Sequence, residues 1–258
     1  MSWHRPRATH ITPEDAGWGY TGLRILEAGR HSGDTGRDEI VVVPLSGSVT
    51  ISSAAGDAAL AGRRDVFAGP TDCAYVPRET DYLFDVRGRV AVVSARAANH
   101  RPFRHISRDA VQVELRGTGQ CSREVRNFAT TDVLDADRLI ACEVVTPAGN
   151  WSSFPPHKHD TERRGETALE EIYYFEVAGG GMGYLRAAEV LAEVRSGDVV
   201  LIPYGYHGPA MAVPGYDMYY LNVMAGPGRR EWLICDDPEH AWIREQWKEQ
   251  SVDPRLLS

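Results

Sequence analysis

The chain is short of cysteine, of long apolar runs and of positive charge, and each shortage closes off a class of function. Its four cysteines in 258 residues, Cys73, Cys121, Cys142 and Cys235, are scattered without a Cys-x-x-Cys pair. That leaves neither a zinc knuckle nor a secreted disulfide framework, and reduced thiols are the default. No apolar stretch reaches the ~18 residues of a membrane span, and the opening Met1-Ser2-Trp3-His4-Arg5-Pro6 lacks an apolar signal core. A cytoplasmic protein is expected. With 28 Lys and Arg against 36 Asp and Glu the formal charge is -8, the wrong sign for nonspecific nucleic-acid binding, which needs cations to neutralise phosphates. Helical patterning is scarce as well. Only residues 239–249 are amphipathic, with Trp242, Ile243 and Trp247 expected to pack against a barrel rather than to serve function.

What is there is a globular composition, 43% hydrophobic and 25% charged. Short β-rich runs at 41–43, 90–93, 111–115 and 217–223, separated by Gly and Pro turns, argue all-β structure. The most informative stretch begins at Pro155-Pro156-His157-Lys158-His159 and continues through Leu169-Glu170-Glu171-Ile172-Tyr173-Tyr174 to Pro203-Tyr204-Gly205-Tyr206-His207. In a strand, residues two apart share a face, so His157 and His159 project together while Lys158 points away. A carboxylate at the start of the next strand and a third imidazole after the Gly197-Asp198 turn complete a shell of three nitrogens and one oxygen. Such a shell leaves room for water or substrate. Zinc suits it, as do manganese, iron and nickel. The remaining histidines, His4, His10, His31, His100, His105 and His240, have no comparable company.

This pattern resembles the two cupin motifs, with departures: the spacer before Glu171 is long, the glycine comes late at Gly179, and the second motif is one residue short. The same departures occur in one cupin branch, the bacterial 5-deoxy-glucuronate isomerases of myo-inositol breakdown, related to the 5-keto-4-deoxyuronate isomerases. The segments 215–227 (Gly-Tyr-Asp-Met-Tyr-Tyr-Leu-Asn-Val-Met-Ala-Gly-Pro) and 237–242 (Asp-Pro-Glu-His-Ala-Trp) are long and specific. Val43-Pro44-Leu45-Ser46-Gly47, Tyr75-Val76-Pro77 and Arg116-Gly117-Thr118-Gly119 extend the resemblance over nearly the whole chain. It implies metal ligands His157, His159, Glu171 and His207; Glu171 is preferred to Glu170 because its spacing fits the cupin pattern and neighbours on a strand cannot both face inward.

The implied chemistry is aldose-ketose isomerisation of 5-deoxy-glucuronate to 5-dehydro-2-deoxy-gluconate, in which a divalent metal assists enolisation. Candidate bases are Glu162, Tyr206 and whichever of Tyr173, Tyr174, Tyr219 and Tyr220 face inward. Arg186, and less directly Lys158, are candidates to hold the substrate carboxylate. The expected partner is a small sugar acid, with self-association into a homo-oligomer left open. The family tends to carry a Gln-Arg pair where this chain has Leu185-Arg186, and a longer connection than 187–196, so substrate choice is where a difference is expected. The competing readings are a cupin dioxygenase and a sugar-acid-binding bicupin without turnover.

The chain also reads as a duplication. Glu39-Ile40-Val41-Val42-Val43 aligns with Glu171-Ile172-Tyr173-Tyr174-Phe175, and Asp72 to Pro77 aligns with Asp198 to Pro203. Two barrels are expected: residues 1–120, without metal because the histidine positions fall near Ile25, Glu27 and Asp81, and residues 121–258, with the metal and a short helical tail.

Overall fold

The computed structural model describes residues 2–257, and nearly all of its regular structure is β. In the first half an eight-stranded sheet is built on two long strands, Asp38–Ser53 and Asp81–Arg96, antiparallel along almost their whole length. The register slips between Pro44 and Ser46. There the pair bends, and Gly47 (φ 70°) passes so close to the Arg87 carbonyl that a Cβ would lie 1.7 Å from it; no other residue fits that crossing. The bend folds the sheet over itself. Ile40, Val42, Val49, Ile51, Phe84 and Val92 therefore meet in one apolar interior.

The second half is a two-sheet barrel. A seven-stranded sheet runs in the order His4–Arg5, Val199–Ile202, Glu170–Val177, Met218–Ala225, Ile140–Thr146, Arg123–Ala129, Gln112–Arg116. It faces a six-stranded sheet made of Val190–Val194, Gly183–Ala187, His207–Ala212, His157–Lys158, Cys235–Asp236 and Trp151–Ser152. Sheet membership changes between Ile106 and Gln112, and His4–Arg5 crosses over to pair with Val199 and Val200 of the second barrel.

Strand alternation decides what each face does. Along Glu170–Val177, Ile172 and Tyr174 join the apolar layer shared by both barrels, together with Val41, Val43, Tyr75 and Tyr219. Tyr173, Phe175 and, from the neighbouring strand, Tyr220 point into the second barrel. One tyrosine of each adjacent pair thus faces inward.

The two barrels are tied by reciprocal carboxylates. Glu39 accepts the backbone N–H groups of Asp137, Arg138 and Leu139 at 2.8, 2.6 and 2.7 Å, and the Tyr75 hydroxyl at 2.8 Å. Glu170 accepts those of Gly19, Tyr20 and Thr21 at 2.7, 2.9 and 3.0 Å. This corrects the internal alignment by one residue. Ile40 pairs with Val76 as Glu171 pairs with Ile202, so Glu39 is the counterpart of Glu170, and the position matching Glu171 is the apolar Ile40. A shift of one moves a side chain to the other face of the sheet. Beside these, Arg63 forms a buried ion pair with Glu143, which also accepts the Tyr219 hydroxyl at 2.8 Å.

The tail beyond Cys235–Asp236 is helical over Ile243–Gln246, in a 3-10 turn directly after it, and in a second 3-10 turn at Pro254–Leu256. Trp242 is 55% exposed rather than tucked in, while Trp247 lies beneath the guanidinium groups of Arg123 and Arg244. Among the described residues no helix is long and apolar enough to cross a membrane.

Candidate metal centre and its cavity

Three strands and one loop bring the motif residues together. His157 stands directly across from His207 on paired strands, Glu171 lies on the adjoining face of the other sheet, and His159 follows the His157–Lys158 strand. His159 is fixed from both sides: its carbonyl accepts the Leu169 N–H at 2.8 Å, and its Nδ1 lies 3.1 Å from the Leu169 carbonyl. The Nδ1 atoms of His157 and His207 lie 3.2 and 3.3 Å from the carbonyls of Pro155 and Gly205. Each Nδ1 has a backbone acceptor, which favours its carrying the proton and leaves Nε2 as the free lone pair, the usual preparation of an imidazole for metal ligation. Next to His207, Gly208 (φ 92°) lets the chain pass the Ser153 carbonyl where a Cβ would lie 1.8 Å away.

The Nε2 atoms of His159 and His207 each lie 3.1 Å from Glu171 Oε2. Glu171 Oε1 accepts a short hydrogen bond from Asn222 Nδ2, so the carboxylate is clamped with one oxygen facing the imidazoles. His159, Glu171 and His207 are all buried and offer ligand atoms within 4.8 Å of one another. His157 is adjacent, its ring centroid 4.5 Å from that of His207 and 6.4 Å from that of His159. The set fits a divalent cation on a specific ground: His207 Nε2 is buried, has no hydrogen-bond partner, and faces a carboxylate oxygen. A lone pair against an anion in a dry interior is unfavourable until a cation lies between them.

Burial would raise the Glu171 pKa, but the imidazoles of His159 and His207 beside its Oε2 outweigh it and hold the carboxyl at about 2. Burial, then repulsion from His207 and His159, pushes His157 well below the ordinary histidine value, so it is neutral and able to ligate. For His159 burial acts downward too, yet the hydrogen bond to Glu171 wins and raises it.

His157 and Asn222 open this cluster onto a cavity of about 250 Å³. Its walls include Ser153, Tyr173, Tyr220, Trp232 and three arginines, Arg116, Arg123 and Arg244, with no Asp or Glu among the lining residues. The Ser153 hydroxyl lies 3.2 Å from the phenol oxygens of both Tyr173 and Tyr220. The other sequence candidates sit elsewhere. Glu162 is exposed on the loop after His159 and accepts the Ala168 N–H at 3.2 Å. Tyr206 is half-buried and does not line the cavity. Arg186 is exposed on the outer face of Gly183–Ala187, because alternation turns it away from the buried Leu185 and Ala187. Lys158 points away from the histidines, as expected, and is held by Asp160 and Glu166. Leu185 lies in the apolar interior of the barrel and not on the cavity wall. Sequence reasoning missed Arg123 and Arg244, since neither belongs to a metal motif. Arg244 was within reach only had the tail been read as part of the site.

Two cupin barrels in one chain, the second holding the buried His159, Glu171 and His207 cluster beside a cavity, define a bicupin. Solved structures agree: an oxalate decarboxylase from Lactobacillus farciminis superposes with TM-score 0.61 at 10% identity, over 88% of this chain and 82% of its own, a likeness of fold alone. The chain belongs to the KduI/IolB family, whose family model matches residues 3–243. It is 40% identical to a 5-deoxy-glucuronate isomerase of Geobacillus kaustophilus, across 91% of this chain and 90% of the relative. It is 33% identical to the 5-deoxy-glucuronate isomerase of Bacillus subtilis strain 168, across 92% of each. An IolB-like protein from Salmonella typhimurium LT2 superposes with TM-score 0.89 at 35% identity, covering 95% of this chain and all of that one.

Proposed function

We propose that this protein is an aldose-ketose isomerase that converts 5-deoxy-D-glucuronate to 5-dehydro-2-deoxy-D-gluconate in myo-inositol catabolism. The observation that carries the reading is that His157 and Asn222, both in contact with the Glu171 cluster, share one cavity with two neutral phenols and three arginines, in a chain related end to end to isomerases of that name. A divalent metal, zinc by preference, would be held by His157, His159, Glu171 and His207, and when bound supplies Lewis acidity to the carbonyl and its neighbouring hydroxyl.

The chain's own residues then have defined work. In the isomerisation a hydrogen leaves C2 and arrives at C1, while the hydroxyl proton of O2 passes to O1; nothing is oxidised or reduced overall. Burial raises the Tyr220 phenol and lifts that of Tyr173 well above its ordinary value, so both stay protonated at neutral pH. Joined through Ser153 Oγ, they can hand a proton from one oxygen to the other without building charge in a buried site. These are the inward tyrosines among the sequence candidates; held protonated, they serve the transfer between oxygens and not the abstraction of the carbon-bound hydrogen, while Glu162 and Tyr206 do not line the cavity. Asn222 keeps Glu171 aimed at the histidines. The partner is a small sugar acid and the setting the cytoplasm, where the four free cysteines stay reduced.

The test is incubation of metal-loaded protein with 5-deoxy-glucuronate in D2O, followed by NMR. Loss of the aldehyde signal with growth of the ketone signal is expected, with solvent deuterium at C1 if the carbon-bound hydrogen moves as a proton. Oxygen consumption during turnover would favour a dioxygenase instead, and binding without conversion a sugar-acid-binding bicupin.

A further inference from the structure

The seven-stranded sheet places two arginines directly opposite one another. Arg116 and Arg123 are cross-strand partners on Gln112–Arg116 and Arg123–Ala129, and both line the cavity. Like charges in that relation repel and destabilise a sheet. Arg116 is relieved by Glu114, whose two carboxylate oxygens accept from its Nε and Nη2 at 3.0 and 2.7 Å. Arg244, the third arginine of the wall, is gripped by both oxygens of Asp236.

Arg123 has no such relief. It is 6% exposed, and among the described residues no carboxylate lies within 4 Å of its guanidinium. Its Nη1 donates to the Cys121 carbonyl at 3.0 Å, and its guanidinium sits 5.3 Å from the centre of the Trp247 ring. Burial brings its pKa down to about 10, so the charge persists at neutral pH. Buried charges are ordinarily paired. A buried guanidinium facing a cavity whose walls carry no acid, kept opposite another arginine, is a site built for an anion that arrives from outside. A planar fork of N–H donors matches a carboxylate best.

We propose that Arg123 binds the carboxylate of the sugar acid, with Arg116 and Arg244 as flanking cations already neutralised by Glu114 and Asp236, so that the end of the substrate remote from its carbonyl is fixed in the cavity. The proposal rests on the functional reading above for the substrate class, and it replaces Arg186 in that role. It also gives the tail a use, because Trp247 and Arg244 hold the wall on which Arg123 lies.

The experiment compares binding of D-glucuronate with that of its uncharged methyl ester, by calorimetry on the full-length, metal-loaded protein. Wild type is expected to prefer the acid by about tenfold or more, the usual worth of a charge-assisted hydrogen bond. Arg123→Met should bind acid and ester alike, and Arg123→Lys, which keeps the charge and loses the fork, should fall between. Retention of the wild-type preference in Arg123→Met overturns the proposal, as does a wild type that binds the two equally. Should Arg123→Met fail to fold, Arg123→Lys alone decides: an undiminished preference for the acid would refute the fork. Turnover of 5-deoxy-glucuronate by the wild type is measured separately. A protein that discriminates acid from ester but does not isomerise leaves the Arg123 site standing and removes the isomerase reading.

Discussion

The two barrels part company at one position on their central strands. Each has a glutamate at the head of its central strand, Glu39 in one and Glu170 in the other, and each uses it to hold three backbone N–H groups of its neighbour. The next residue points the opposite way, into the barrel. It is Ile40 in the first, among Val42, Val49 and Phe84, and Glu171 in the second, among imidazoles. Architecture and chemistry therefore lie on opposite faces of the same strand, and one could be lost from a copy of the barrel without disturbing the other.

Breaking that comparison on the chemical face should have the largest effect. Glu171→Gln or His207→Ala should lower bound metal from about one equivalent per chain to almost none by elemental analysis, and reduce kcat/KM by at least ~100-fold, while the melting temperature of the metal-stripped protein changes little beyond the cost of the substitution itself. On the architectural face the opposite split is expected. Glu39→Ala orphans three backbone donors and the Tyr75 hydroxyl at the junction and should cost about 3–5 kcal/mol of stability in denaturant unfolding, with metal stoichiometry in the folded fraction unchanged. Loss of metal without loss of stability would refute this division of labour.

Smaller effects sharpen it. Leu185→Gln restores the amide that the family tends to carry, but Leu185 lies in the apolar interior. The amide should go unsatisfied and cost about 1–3 kcal/mol, seen as a fall of several degrees in Tm, with the ratio of kcat/KM values for different uronates unmoved. An altered ratio would show that this position does set specificity. The smallest effect is in pH. Burial would raise the Glu143 pKa, yet attraction and hydrogen bonding from Arg63, with help from Arg126 and Tyr219, hold it below the ordinary carboxylate value. A carboxyl depressed in the folded state contributes stability that is complete above its unfolded pKa and is lost as pH falls through its folded value. Stability should therefore decline below about pH 4.5, and the decline should be shallower in Glu143→Gln, as followed by thermal unfolding from pH 7 to pH 3.

The fold and the meeting of His159, Glu171 and His207 were legible because their signals are periodic and local: alternation along 170–177, two histidines two apart, and glycines at crossings. The acid pairing was misread by one residue because Glu39 and Glu171 both precede an isoleucine and an apolar run, and only the cross-strand partners, Val76 and Ile202, fix which acid faces where. The carboxylate subsite was harder still. Arg186 adjoins the motif in sequence and points outward, whereas Arg123 is 34 residues before the first histidine and enters the cavity only through the order of strands in the sheet. Side-chain direction is written locally; which walls meet around a cavity is written in topology.

The crossing of His4–Arg5 into the far barrel bears on how the chain is made. Its partners Val199 and Val200, and Asp198, which accepts the Arg7 N–H at 3.0 Å and lies 3.2 Å from His4 Nε2, are close to 200 residues downstream. During synthesis this strand cannot pair until Val199 and Val200 have been made, so the first barrel can assemble before the contact that ties His4–Arg5 to the second one closes.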